Sequence, residues 1–139
     1  MAGLAECLSQ HHRYCDRFFA SALEAADRSD WQAFARQVAA LTGALELHIG
    51  FEEGELFPAF EEATGLQVAH LRVLGAAQPR IDPEGCRAEL EHLRTLLQAH
   101  NVKEEAVLYP ACDQLLGARS DLLAGVRALN ERTLSAAPR

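Results

Sequence analysis

The chain has 139 residues, 49% of them hydrophobic, and a formal net charge of −7, which fits one domain able to bury a core and leaves no basic stripe for nucleic acid. No apolar run approaches the roughly 20 residues that span a bilayer, and the opening "MAGLAECLSQHH" lacks a basic segment followed by an apolar one, so a cytoplasmic protein is expected with no membrane partner. Cys7, Cys15, Cys86 and Cys112 show no CxxC spacing and read as small buried thiols in a reducing compartment.

The elements are helical throughout. Leu4, Leu8, His12, Cys15, Phe19, Leu23 and Ala26 recur at three- and four-residue steps, the inward stripe of a first helix. "DRSDW" interrupts it, with Ser29 or Asp30 as N-cap of a second helix. That helix carries Phe34, Val38, Leu41, Leu45, His48, Glu52 and Leu56 inward and ends at Gly65. A short third segment places Leu66, His70, Val73 and Ala77 on one face before "QPRIDPEG" stops it. The fourth helix has the stripe Cys86, Leu90, Leu93, Leu97, His100, Glu104, Leu108, Ala111 and Leu115, closed by Gly117. "SDLLAGVRALNERTL" reads as a tail helix over about 120–134, capped by Ser120 or Asp121 and packed on the outside. No stretch alternates with period two. The expectation is a single all-α domain, an antiparallel up-down four-helix bundle over about 4–117 with a short C-terminal helix.

Four polar residues stand where those stripes demand core. "HIGFEEGELFPAF" begins at His48 and "HNVKEEAVLYPAC" at His100; each has glutamates four and five residues on, then Leu, an aromatic and Pro. A buried ionised carboxylate without compensation costs several kcal/mol, a large share of a typical stability of about 5–15 kcal/mol. A metal ion removes that cost, and a histidine with a glutamate four residues later puts both on one helix face. One such pair alone would read as an ordinary helical ion pair, and one inward histidine as a core residue. The pair written twice in register, with inward His12 and His70, points to a metal site. A carboxylate from each of two helices could bridge ions about 3.5–4 Å apart.

Other candidates lack that support. His11 lies about 100° round the helix from His12, and His92 has no carboxylate at ligand spacing. Glu53 and Glu105 fall on a solvated flank. Asp16 could complete a third carboxylate pair or orient His12. Cys15 keeps a thiolate ligand, and with it zinc, open. Gly50 and Gly54 flank the site and suit close helix approach or a narrow path, and Pro58 and Pro110 should kink their helices at matching depth.

"HHRYCDRFF", "HIGFEEGELFP", "AHLRVL" and "HNVKEEAVLYP" resemble the four helix motifs of the bacterial hemerythrin-like family, also called HHE cation-binding domains, from about His11 to Leu116. The resemblance implies a non-haem di-iron centre, oxo- or hydroxo- and carboxylate-bridged, with His12, His48, His70 and His100 as terminal ligands and Glu52 and Glu104 as bridges. Manganese or zinc would suit similar ligands. Oxygen carriers of the family have five histidines and an aspartate five residues after the last; here Glu104 follows His100 by four, which argues against simple oxygen carriage. The short interval from His70 to His100 suggests a truncated or irregular third helix. The function expected is binding or sensing of a diatomic ligand, O2 or NO. Alternatives are a di-iron enzyme reducing NO or peroxide or serving iron-sulfur cluster repair, and a structural zinc or cation site in an interaction module.

Overall fold

A computed structural model describes residues 3–65 and 87–138; the expected third segment, His70 and Cys86 lie outside them. The described residues form helices and short connections, with no strand among them. Helix α1 spans Leu4–Asp27 and α2 spans Trp31–Phe51. A π turn over Glu52–Leu56 leads from α2 directly into α3, Phe57–Thr64. Helix α4 spans Arg87–Lys103, and a second π turn over Glu104–Leu108 leads into α5, Tyr109–Leu116. Helix α6 spans Ser120–Ala136. Among the described residues four helical rods result: α1, α2–α3, α4–α5 and α6. None is long and apolar enough to cross a membrane.

The boundaries have local causes. Asp30 caps α2, its carboxylate accepting from the Ala33 amide at 3.1 Å, and Gly65 ends α3 in the left-handed region at φ 72°. The expected Ser120 or Asp121 cap of the tail helix gives way to Arg119, which makes no side-chain cap bond. Helix α1 borrows its cap from another rod. Asp113 of α5 accepts from the Ala5 amide at 3.2 Å, and a Cβ on Gly3 would meet that carboxylate at 2.9 Å, so glycine leaves Asp113 room to reach an otherwise unpaired amide. Arg87 at the start of α4 pairs with Asp27 at the end of α1 at 2.6 Å.

Both π turns sit just before a proline. Pro58 and Pro110 have no N–H to continue the α-helical ladder, and the preceding residues bond one step further back: Phe57 N–H donates to the Glu52 carbonyl and Tyr109 N–H to the Glu104 carbonyl. The extra residue in each turn rotates everything after it. The stripe expected to continue through Leu115 therefore fails there. Leu115 is 50% exposed, while Tyr109, Cys112 and Leu116 are buried in its place.

The described residues form two apolar core clusters. One gathers Leu4 and Leu8 of α1, Phe51, Phe57 and Phe60 of the second rod, Leu108 and Leu116 of the third, and Leu122, Val126 and Leu129 of α6. The other gathers Phe18, Phe19 and Leu23 of α1 with Phe34, Leu41 and Leu45 of α2 and Leu90 and Leu93 of α4. The tail helix is thus part of the core, not an external addition. Gly125 lets it approach, since a Cβ there would meet Phe51 Cε2 at 2.9 Å.

Candidate metal centre

Between the clusters in sequence, on every rod that contributes to both, lie the polar residues. His11 and His12 follow Leu8 and precede Cys15 on α1; His48 follows Leu45 on α2; His100 follows Leu93 on α4. Each π turn supplies its first residue, Glu52 or Glu104. His11, His12, His48, Glu52 and Glu104 are all buried, and the His100 side chain is 14% exposed.

The donor atoms converge. Nε2 of His12 and Nε2 of His48 are 3.2 Å apart. His48 Nε2 lies 3.0 Å from Glu52 Oε1, and Glu104 Oε1 is 3.3 Å from His12 Nε2 and 3.2 Å from His100 Nε2. Among the described residues two groups could each hold an ion, His12 with His48 and Glu104, and Glu52 with His100 and Glu104. Glu104 is common to both. Its second oxygen, Oε2, is buried without a hydrogen-bond partner, so a fully enclosed carboxylate keeps lone pairs for a cation. The donor set of imidazoles and carboxylates suits a transition metal.

Tyr109, which the sequence reading did not single out, stands inside this set. Its hydroxyl is 3.0 Å from His12 Nε2, Glu52 Oε2 and Glu104 Oε1 and 3.2 Å from His48 Nε2. Burial and the two glutamates raise its pKa well above the usual phenol value, so it keeps its proton. One proton cannot serve both carboxylates. Burial raises Glu52 to about 8, whereas hydrogen bonds from Glu52 and the histidines overcome burial and hold Glu104 below the usual carboxylate range. The pair shares a proton held on Glu52. Burial lowers His48, but Glu52 and Glu104 together outweigh it and raise that imidazole to about 10. Burial lowers His12 despite its bond to Glu104.

The other candidates fall outside the two ligand groups. Cys15 Sγ is 3.9 Å from His11 Nδ1, and burial pushes its thiol up to about 12, far from a thiolate. Asp16 is half-buried and raised by that burial against the pull of Arg94 and His12. His92 is exposed. Glu105 is 38% exposed, with Oε2 3.6 Å from His12 Nδ1. Glu53 departs from the expected solvated flank, being half-buried with an unpartnered Oε1. A Cβ at Gly50 or Gly54 would meet nothing within 4 Å, so no close approach among the described residues accounts for them. His11 sits at the centre after all. Its Nδ1 is 2.9 Å from His48 Nδ1, the two rings stacked with centroids 5.0 Å apart. The His11–His12 doublet was the signal for it, because a helix covered on two sides buries adjacent positions.

Residues 4–112 match the hemerythrin HHE cation-binding domain. The chain belongs to that family. No curated protein and no solved structure matches it. A hemerythrin HHE domain whose buried histidines and glutamates converge in two groups points to metal binding, and the match ends before α6 begins.

Proposed function

We propose that this hemerythrin-like chain holds a non-haem di-iron centre, with Glu52 and Glu104 as bridges and His12, His48, His70 and His100 as terminal ligands, and that it binds or senses O2 or NO there. The supporting observation is the place of Glu104 in both ligand groups. A carboxylate with one idle oxygen is the group able to serve two neighbouring cations. Imidazole and carboxylate ligands suit iron, and the family resemblance is what points to iron rather than zinc or manganese. His70 enters from the sequence alone. The proposed arrangement is an up-down antiparallel bundle: the Asp113 cap ties the start of α1 to α5, and the Asp27–Arg87 pair ties its end to the start of α4. Buried free thiols at Cys7, Cys15 and Cys112 agree with a reducing, cytoplasmic setting.

When bound, a pair of irons supplies redox change and open coordination positions. The chain supplies the rest. Apolar residues on both sides of the site shield it from water and suit a small uncharged molecule better than a bulky or charged one. Tyr109 holds a proton beside the ligand atoms.

Anaerobic loading with ferrous iron, metal analysis, and titration with O2 and NO test the reading. Close to two irons per chain and a spectral response to one of the gases are expected. One metal or fewer would sink the dinuclear centre, and an unresponsive spectrum the diatomic ligand. Steady consumption of NO or peroxide would favour the enzyme instead.

A further inference from the structure

We propose that Thr133 and His11 form a relay that holds a proton on His48 Nδ1, so that Nε2 is the His48 nitrogen that gives up its proton to a metal, making the C-terminal helix part of the metal centre. The inference rests on the metal-binding reading above, and Thr133 lies beyond residues 4–112 matched to the family.

The relay follows from counting protons. The Thr133 hydroxyl has one, and donates it to the Leu129 carbonyl at 2.9 Å. Thr133 Oγ1 is also 2.8 Å from His11 Nε2, and with its own proton committed it can only accept there. His11 therefore carries its proton on Nε2. Its Nδ1 has a lone pair, and the 2.9 Å between His11 Nδ1 and His48 Nδ1 requires one proton, which His48 must supply. With Nδ1 protonated, the other nitrogen of His48 is the one free to ligate. That nitrogen is Nε2, which faces Glu52, Tyr109 and His12.

The count needs a neutral His11, and its surroundings meet the need. The residue is fully buried, and its polar neighbours, His48, Thr133 and the Cys15 thiol, include no carboxylate to stabilise an imidazolium. Turning the Thr133 proton toward His11 would reverse every step, making His48 Nδ1 the acceptor so that neutral His48 would keep its proton on Nε2 and be unable to bind metal there. A ligand histidine commonly donates its second nitrogen to a carboxylate or carbonyl. Here the acceptor is a second histidine, itself held by a hydroxyl on α6.

The test replaces Thr133 with Val, which keeps its shape and removes the hydroxyl, and with Ser, which keeps the hydroxyl. In metal-free protein labelled with 15N-histidine, long-range 1H–15N spectra should show His11 protonated at Nε2 and unprotonated at Nδ1 in the wild type and Thr133→Ser. Protonation at Nδ1 overturns the relay. Ferrous and zinc affinities, measured by competition with a chelator, should fall about 10-fold or more in Thr133→Val and recover in Thr133→Ser. Equal affinities in wild type and Thr133→Val, with folding matched by circular dichroism, overturn it too. A wild type that takes up no metal sinks the metal-binding reading, while the His11 tautomer still decides the relay.

Discussion

The Tyr109 hydroxyl donates toward Glu104 Oε1 at 3.0 Å from a position five residues later in the same rod. In a regular α-helix, residues five apart lie about 140° round the axis from each other. The π turn over Glu104–Leu108 brings them to one face, and Pro110 is the reason an α turn does not form there. A backbone irregularity thus inserts a phenol among the ligand atoms. The first repeat builds the same turn with Phe57 at the matching position, so the two halves of the site differ by one oxygen.

Tyr109→Phe makes the second repeat like the first. The ring should fit unchanged, but a buried donor between two carboxylates is lost, and metal-free protein should lose about 1–3 kcal/mol in denaturant titration. Metal content should match the wild type, because the proposed ligands remain. A halved metal content would make the phenol a ligand in its own right.

The glutamates should not be equivalent. Both are proposed as bridges, but Glu104 belongs to both ligand groups and Glu52 to one, so Glu104→Ala should abolish tight binding of both ions, whereas Glu52→Ala, which leaves the His12, His48 and Glu104 group intact, should leave a weaker single-metal site. Glu53→Gln should retain full metal, since neither group includes Glu53. Metal analysis after loading and desalting separates the three. Equal losses in Glu52→Ala and Glu53→Gln would contradict the rotation of the first π turn.

The inward positions of His12, His48, Glu52 and Glu104 were legible because each continued an apolar stripe whose period the backbone keeps up to the start of a π turn. Beyond Glu104 the period breaks. Leu115 looked inward and is exposed, while Tyr109, Cys112 and Leu116 took the buried face; the doubled Leu-aromatic-Pro was the visible trace of that shift. His11 and Thr133 escaped for a different reason. A single inward stripe assumes one covered face, and α1 is covered on another by α6, a helix whose own sequence gave no sign that Thr133 would meet a histidine 122 positions away. His70 stands on the sequence alone.

Removing metal should lower the melting temperature. Ions that bind only the folded arrangement add to its stability by mass action, and without them Glu52 and Glu104 are left as neighbouring buried carboxyl groups sharing one proton. Thermal scans of loaded and chelated protein at one concentration measure the shift. An unchanged melting temperature would mean that the cluster is stable without a cation.

Metal-free protein should also become less stable as pH rises from about 6.5 to 8. Burial raises Glu52 from its ordinary 4.5 to about 8. His48 is lowered by burial, but the two glutamates lift it from 6.5 to about 10. A group whose pKa is raised by folding keeps a proton that the unfolded chain has released. Its contribution is fully present below the unfolded value and is lost as pH climbs to the folded one. The Glu52 window runs from 4.5 to about 8 and the His48 window from 6.5 to about 10, so both act together between 6.5 and 8. His11, pulled down to about 2 by burial, acts only below its ordinary 6.5. Metal affinity should move the opposite way, since the proton on Glu52 and the Nε2 proton of His48 must both leave before an ion enters. Denaturant titrations of chelated protein across this interval, paired with chelator competition at the same pH values, read the two trends. If metal-free stability instead rises with pH, the resting cluster holds an ionised Glu52 beside a neutral His48, and the proton assignment given for the site is wrong.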